Sequence, residues 1–259
     1  MDLDLRSSAA AGPGLTLVGV GPGDPELLTV AAVRAIAAAS VVAYPVAEPQ
    51  AEGMAARIAS PWLSPEQRHL PLLFPMVEEA APRRAAWHAA AEALATEVAV
   101  GAAVVLLCEG DASLYASASY VLLALAQRHP ACAVRVVPGI TAVAAAAAAA
   151  SSQGLAWPLA LQQEGLLIRP TPEEPGELEA LLDRVAAAPP TVLALLKLGR
   201  RWRWVQPLLA RRGLLAGALF ARRVGWSDQL LEPADRVPAE AQPYFSMVLI
   251  RQSWPEVLP

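Results

Sequence analysis

The sequence predicts an α/β protein of two α/β domains, the first with a mostly parallel sheet and the second with a mixed one. Three observations carry this. Short apolar runs alternate with amphipathic stretches through the first half, the pattern of strands joined by helical crossovers. Two of those runs end in glycine turns that carry an acid. In the second half the last apolar runs follow one another with no helical stretch between them, which implies antiparallel pairing. A leader is expected over residues 1–13, a first domain over 14–153 and a second over 160–259.

The acid-bearing loops organise the chain. In the first, Leu15–Val20 reads as a strand and is followed by Gly21-Pro22-Gly23-Asp24, with a helix beyond. In the second, the apolar run Ala102–Leu107 meets Cys108-Glu109-Gly110-Asp111-Ala112-Ser113-Leu114-Tyr115. Each acid sits just past the carboxyl end of a predicted core strand, where open α/β sheets place ligands. Asp is also a preferred helix cap, so Asp111 can be read either as a cap or as a site residue. Neither loop is a dinucleotide fingerprint. A carboxylate and a proline stand where phosphate-binding loops offer free N–H groups. Asp24 repels phosphate and suits a cation, a hydroxyl-rich ligand or a structural turn.

In order, Val30–Ala39 reads as a helix capped by Thr29, Val41–Pro45 as a strand and Gly53–Ser60 as a short helix. Arg68–Phe74 is a strand that Pro71 pushes to a sheet edge. Arg83–Val100 is helical with Pro82 in its first turn. Strand Ala102–Leu107, helix Ser117–Arg128, strand Ala133–Val137 and helix Ile140–Ser151 complete the first half. The pattern breaks between Ser151 and Pro175, and the domain boundary is placed near Ser152–Leu161. Strand Leu166–Arg169 and helix Pro175–Ala187 come next, then strand Thr191–Lys197 and helix Arg203–Arg212. Ala218–Val224, Gln229–Leu231 and Tyr244–Arg251 close the chain as strands.

Hydrophobic residues make up 55% of the 259 positions and charged residues 17%, enough for a sizeable core. No apolar run is long enough to span a membrane. Cys108 and Cys132 form no C-x-x-C and read as reduced thiols of a cytoplasmic protein. His69, His88 and His129 are scattered, so no metal site is expected. The formal charge of −4 argues against nucleic-acid binding. Yet Lys197, Arg200, Arg201, Arg203, Arg211, Arg212, Arg222 and Arg223 share one stretch with no acid between them. Arg211 and Arg212 read as a solvated helix face; those near strand ends suit an anion.

Gly19–Thr29, Glu109–Tyr115 and Val137-Pro-Gly-Ile-Thr-Ala142 resemble the three motifs of the tetrapyrrole methylases, and Thr191–Arg200 resembles the segment that opens that family's second sheet. Pro243–Arg251 is similar to the closing strand of the branch that methylates the C(20) meso carbon of precorrin-2. The resemblance implies two α/β domains, S-adenosyl-L-methionine bound in the cleft between them, a homodimer, and precorrin-2 or its cobalt form as substrate. It implies cofactor contacts at Pro22, Gly110, Asp111, Leu114, Tyr115, Thr141, Ala142 and Leu196. The tetrapyrrole side falls to Gly21, Gly23 and Asp24, with Lys197, Arg200 and Arg223 offering charge to its carboxylates. Ala112 replaces the family's usual Pro, Ala116 its Gly and Leu196 its more frequent Met. The reaction needs a base for the displaced meso proton, and Tyr44, Glu109 or a substrate carboxylate can serve. A sister tetrapyrrole or diphthine-type methylase and a non-catalytic cofactor binder are the alternatives.

Overall fold

The computed structural model describes residues 12–254, so the expected leader lies almost wholly outside the described residues. Contacts divide the chain between Thr141 and Ala142 into two compact units.

The first unit holds β1 (Gly14–Gly19), α1 (Val30–Ala38), β2 (Val41–Val46), α2 (Met54–Ala59), β3 (Arg68–Leu73), α3 (Ala80–Ala99), β4 (Ala103–Cys108), α4 (Ala118–Arg128) and β5 (Val134–Val137). The five strands are all parallel, in the order β3-β2-β4-β1-β5. Every side chain of β4 is buried, as a continuous apolar run requires of a strand covered on both faces. Leu15, Leu17, Val104 and Leu106 pack against Leu94 of α3 and Val121 and Leu125 of α4. The alternate positions Val18, Val105 and Leu107 are also buried, because α1 and α2 contact β1, β2 and β4. Burying a Val or Leu side chain contributes about 1.5–3 kcal/mol, so this doubly covered layer dominates the unit's stability. Thr29 caps α1 through Ala32 N–H (3.1 Å), and β3 with Pro71 lies at a sheet edge.

The order of the strands sets up a ligand-binding end. From β1 to β3 the chain steps one way across the sheet, and from β3 to β5 it steps back. Right-handed crossovers therefore put α1 and α2 on one face and α3 and α4 on the other. The loops leaving the neighbours β1 and β4 turn to opposite faces, the arrangement that opens a crevice outside the carboxyl ends of strands.

The second unit holds α5 (Ala142–Ser152), β6 (Gly165–Pro170), α6 (Pro175–Ala186), β7 (Thr191–Leu196), α7 (Trp202–Arg211), β8 (Leu219–Arg222), β9 (Leu230–Pro233) and β10 (Ser246–Arg251). Its sheet runs β6-β7-β10-β8-β9. Only β6 and β7 are parallel, joined by α6; β10 is antiparallel to both neighbours, and β8 to β9. Leu178, Leu181 and Leu182 of α6 and Trp202, Val205 and Leu208 of α7 share one core with Phe220, Val248 and Ile250. Trp202 also donates its indole N–H to Pro238 O (2.9 Å), which satisfies the polar atom of the largest buried side chain.

Arg251, the last residue of β10, is buried with Glu164, the two side chains being 1% and 3% exposed. Its Nε and Nη2 donate to the Glu164 carboxylate at 2.7 and 2.9 Å, and Nη2 also donates to Pro158 O. The guanidinium lies over the rings of Trp157 and Trp254. This cluster ties the irregular segment after α5 to the central strand of the sheet.

Candidate functional site

Three loops meet at the carboxyl ends of β4, β1 and β5. Gly21 and Gly110 exchange both backbone hydrogen bonds, Gly21 N–H to Gly110 O at 3.1 Å and Gly110 N–H to Gly21 O at 2.7 Å. Val20 N–H donates to Cys108 O at 2.9 Å. Asp111 supplies the third tie. Its Oδ1 accepts from Ser113 N–H (2.9 Å) and from the Ser113 hydroxyl, and its Oδ2 accepts from Gly139 N–H (2.9 Å) beyond β5. Gly139 is required for the closeness. A Cβ there would stand 2.1 Å from Gly110 O, far inside van der Waals contact.

The helix-cap reading of Asp111 is not met. Asp111 does not cap α4, whose flanking residue is Ser117; it cross-braces two loops from different strands. Partial burial pushes its pKa up, but the hydrogen bonds from Ser113 and Gly139 outweigh that and hold the carboxyl below its ordinary value. Asp24 is used locally, accepting from Glu26 N–H (2.8 Å) ahead of the Pro25–Leu27 turn. Pro22, Leu114, Thr141 and Ala142 are half-buried, Gly21 and Gly23 buried, and Tyr115 exposed with a left-handed backbone (φ 53°).

Tyr44 of β2 and Glu109, just past the end of the neighbouring strand β4, converge on the start of α2. The Tyr44 ring packs so tightly on Gly53 that a Cβ there would come within 2.3 Å of it. Its hydroxyl lies 3.3 Å from His69 Nδ1. Burial pushes the Glu109 carboxyl above the usual range, and hydrogen bonds from its own N–H and that of Ala55 only partly offset this. Burial, with the charges of Glu109 and Asp111, drives the Cys108 thiol up, which makes it a neutral core residue and not a nucleophile.

In the second unit the predicted residues gather where β7 and β8 end and β10 begins. Leu196 closes β7, half-buried, and Lys197 follows with φ 60°; Arg223 follows β8 with φ 48°. Ion pairs divide the basic stretch. Arg201 pairs with Glu173, Arg211 with Glu179, Arg212 with Asp183 and Arg223 with Asp228. Arg200 is exposed in the turn before α7 and has no such pair among the described residues. Sequence reasoning passed over three aromatics near these cations: Tyr244 and Phe245 are exposed and Trp226 is half-buried, and their exposure is set by the turns that follow β8 and precede β10, which no local spacing reports. A cavity of about 310 Å³ at the amino ends of β1, β4 and β5, and one of about 300 Å³ beside Trp157, contain none of the predicted residues.

Residues 14–236 match the Tetrapyrrole (Corrin/Porphyrin) Methylases family. The chain is 36% identical over 241 residues to the cobalamin biosynthesis protein CobIJ of Mycobacterium tuberculosis (strain ATCC 25618 / H37Rv). That match covers 90% of this chain and 45% of the relative, so the chain spans about half the relative's length. It is 34% identical to the precorrin-2 C(20)-methyltransferase of a Sinorhizobium species, over 90% of this chain and 93% of that one. Among solved structures, the methyltransferase CobJ superposes with a TM-score of 0.64 at 26% identity, over 92% of this chain and 93% of the other. The chain therefore belongs to the tetrapyrrole methylases, a family of S-adenosylmethionine-dependent methyltransferases.

Proposed function

We propose that this chain transfers a methyl group from S-adenosyl-L-methionine to the C(20) meso carbon of precorrin-2 or its cobalt form, in cobalamin biosynthesis. The observation that carries the reading is near-full-length similarity, 34% over 93% of the relative, to a protein named for that reaction. The loops fit the cofactor. They form no phosphate cradle, and the bare Cα of Gly110 (φ 67°) leaves open space that a side chain would occupy.

When bound, S-adenosylmethionine supplies a methyl on a sulfonium, an already activated leaving group. The chain's own part is alignment, which can lower a barrier by roughly 7–11 kcal/mol. Pro22, Gly110, Asp111, Leu114, Tyr115, Thr141, Ala142 and Leu196 are the residues proposed to hold the cofactor. Asp111 acts indirectly, by holding the Gly110 and Gly139 loops in register. Gly21, Gly23, Asp24, Lys197, Arg200 and Arg223 are proposed for the substrate. As the new carbon–carbon bond forms and the carbon–sulfur bond breaks, the meso carbon must release its proton. Glu109, whose carboxyl burial holds above the usual range, and Tyr44, which meets it at the start of α2, are the side chains proposed to receive it.

The reading includes domains over 14–153 and 160–259, a homodimer and a cytoplasmic location. The 55% hydrophobic content and the reduced Cys108 and Cys132 support the last two. Among the described residues no helix is long and apolar enough to cross a membrane. Anaerobic incubation with both substrates should give a product one methyl heavier, with the new carbon at the meso bridge by NMR. A methyl on a ring carbon, or no product, overturns the reading. Light scattering that shows a monomer at every concentration removes the dimer.

A further inference from the structure

The second unit keeps one buried donor unused. The Arg251 guanidinium is committed along one edge, where Nε and Nη2 donate to Glu164 and Nη2 also donates to Pro158 O. Its Nη1 is buried and has no hydrogen-bond partner among the described residues, and the side chain is 1% exposed. A buried donor left so is costly, and folded proteins seldom carry one without a use. The rings of Trp157 and Trp254, with centroids 4.8 and 4.3 Å from the guanidinium carbon, attract the cation but offer no lone pair. The same two rings, edge to face with centroids 6.1 Å apart, line the cavity of about 300 Å³, the size of a small-ligand site. Leu155, Ala216, Leu219 and Pro233 also line it, and no charged side chain does. Trp157 is buried and spends its indole N–H on Gly217 O at 3.2 Å, whereas Trp254 is 45% exposed and free to shift.

We propose that this cavity binds a small neutral aromatic molecule carrying a carbonyl, which lies against the two indoles and, with a shift of the Trp254 ring, accepts from Arg251 Nη1. Each part of that chemistry has its own reason. The indoles and the apolar lining call for a flat ring, and the unused N–H calls for an acceptor. Neutrality follows from Glu164, which already balances Arg251, so a second carboxylate would be buried without a cation of its own. The polycarboxylate substrate is thereby excluded as occupant. Strand β10 also separates the two, with Arg251 at one end and Ser246, beside the exits of β7 and β8, at the other. The site is independent of the methyl-transfer reading.

The test follows the indole N–H signals of Trp157 and Trp254 by heteronuclear NMR while the full chain is titrated with benzamide, toluene and benzoate. Benzamide should shift both signals. It should bind about tenfold more tightly than toluene, which lacks the acceptor, and about tenfold more tightly than benzoate, whose charge finds no cation. Ala216→Phe, which fills the cavity from an exposed position, should abolish the shifts and leave methyl transfer and the melting temperature as they are. In the double variant Glu164→Leu with Arg251→Met, benzamide should lose its advantage over toluene. Signals that none of the three probes moves overturn the site. Equal binding of benzamide and toluene by the wild type, or an advantage that survives in the folded double variant, overturns the part played by Arg251. Tighter binding of benzoate than of benzamide overturns the neutral ligand.

Discussion

Asp111 does its work on the protein's own loops. With both carboxylate oxygens committed to Ser113 and Gly139, Asp111→Ala should lower stability by about 1.5–3 kcal/mol, the worth of hydrogen bonds to a charged group. Cofactor affinity should fall with it, read by thermal melts and calorimetry on the same samples; equal affinity in mutant and wild type would confine Asp111 to folding. Glu109 has the opposite electrostatic sign. Its native pKa is raised, so its ionised form is a burden on the fold above the unfolded value. Glu109→Gln should therefore melt at the same or a higher temperature at neutral pH while methyl transfer drops at least tenfold. Unchanged turnover would remove it as the proton acceptor. Replacing Arg200 and Arg223 together should raise the KM for tetrapyrrole. Much of this was legible in the sequence as glycine-acid loops after apolar runs. What was not legible was the partner of each acid: Gly139 lies beyond another strand, and no local spacing reports a contact that the sheet order creates.

Element by element, the buried strands were the clearest. β1 and β4 are continuous apolar runs because helices cover both faces, and Pro71 marked β3 as an edge. The ends in the second sheet were less so. A strand was expected from Tyr244, but β10 begins at Ser246, whose hydroxyl donates to Pro243 O at 2.6 Å and closes a turn that leaves both aromatics outside the ladder. Likewise β7 stops at Leu196 because Lys197 turns left-handed. Nothing in the local pattern announced Arg251 and Glu164, which are far apart in sequence. Removing one member of a buried pair strands the other charge. Glu164→Ala should thus cost about 3–5 kcal/mol, and the double change Glu164→Leu with Arg251→Met much less. Denaturant unfolding of the single and double variants checks this.

For the whole molecule, acidity is the informative variable. Asp111 in one unit and Glu164 in the other have native pKa values below their ordinary ones, Glu164 through its hydrogen bonds with Arg251. A lowered carboxyl contributes its stability above the unfolded value, about pH 4, and loses it as the pH falls through the lower native value. Denaturant midpoints should be flat with respect to these groups near neutrality and drop below about pH 4, and Glu164→Gln should flatten part of that drop. The interlock of Gly21, Gly110, Asp111 and Gly139 has a different kind of consequence, for recombination among relatives. Exchanging a single loop between family members would bring in one tooth of a lock cut for another key, since a Cβ at position 139 has no room against Gly110 O. Chimeras that inherit all three segments from one parent should fold and bind. Those with crossovers between residues 24 and 109, or between 111 and 139, should succeed only where the incoming parent also has glycine at 21, 110 and 139 and an acid at 111.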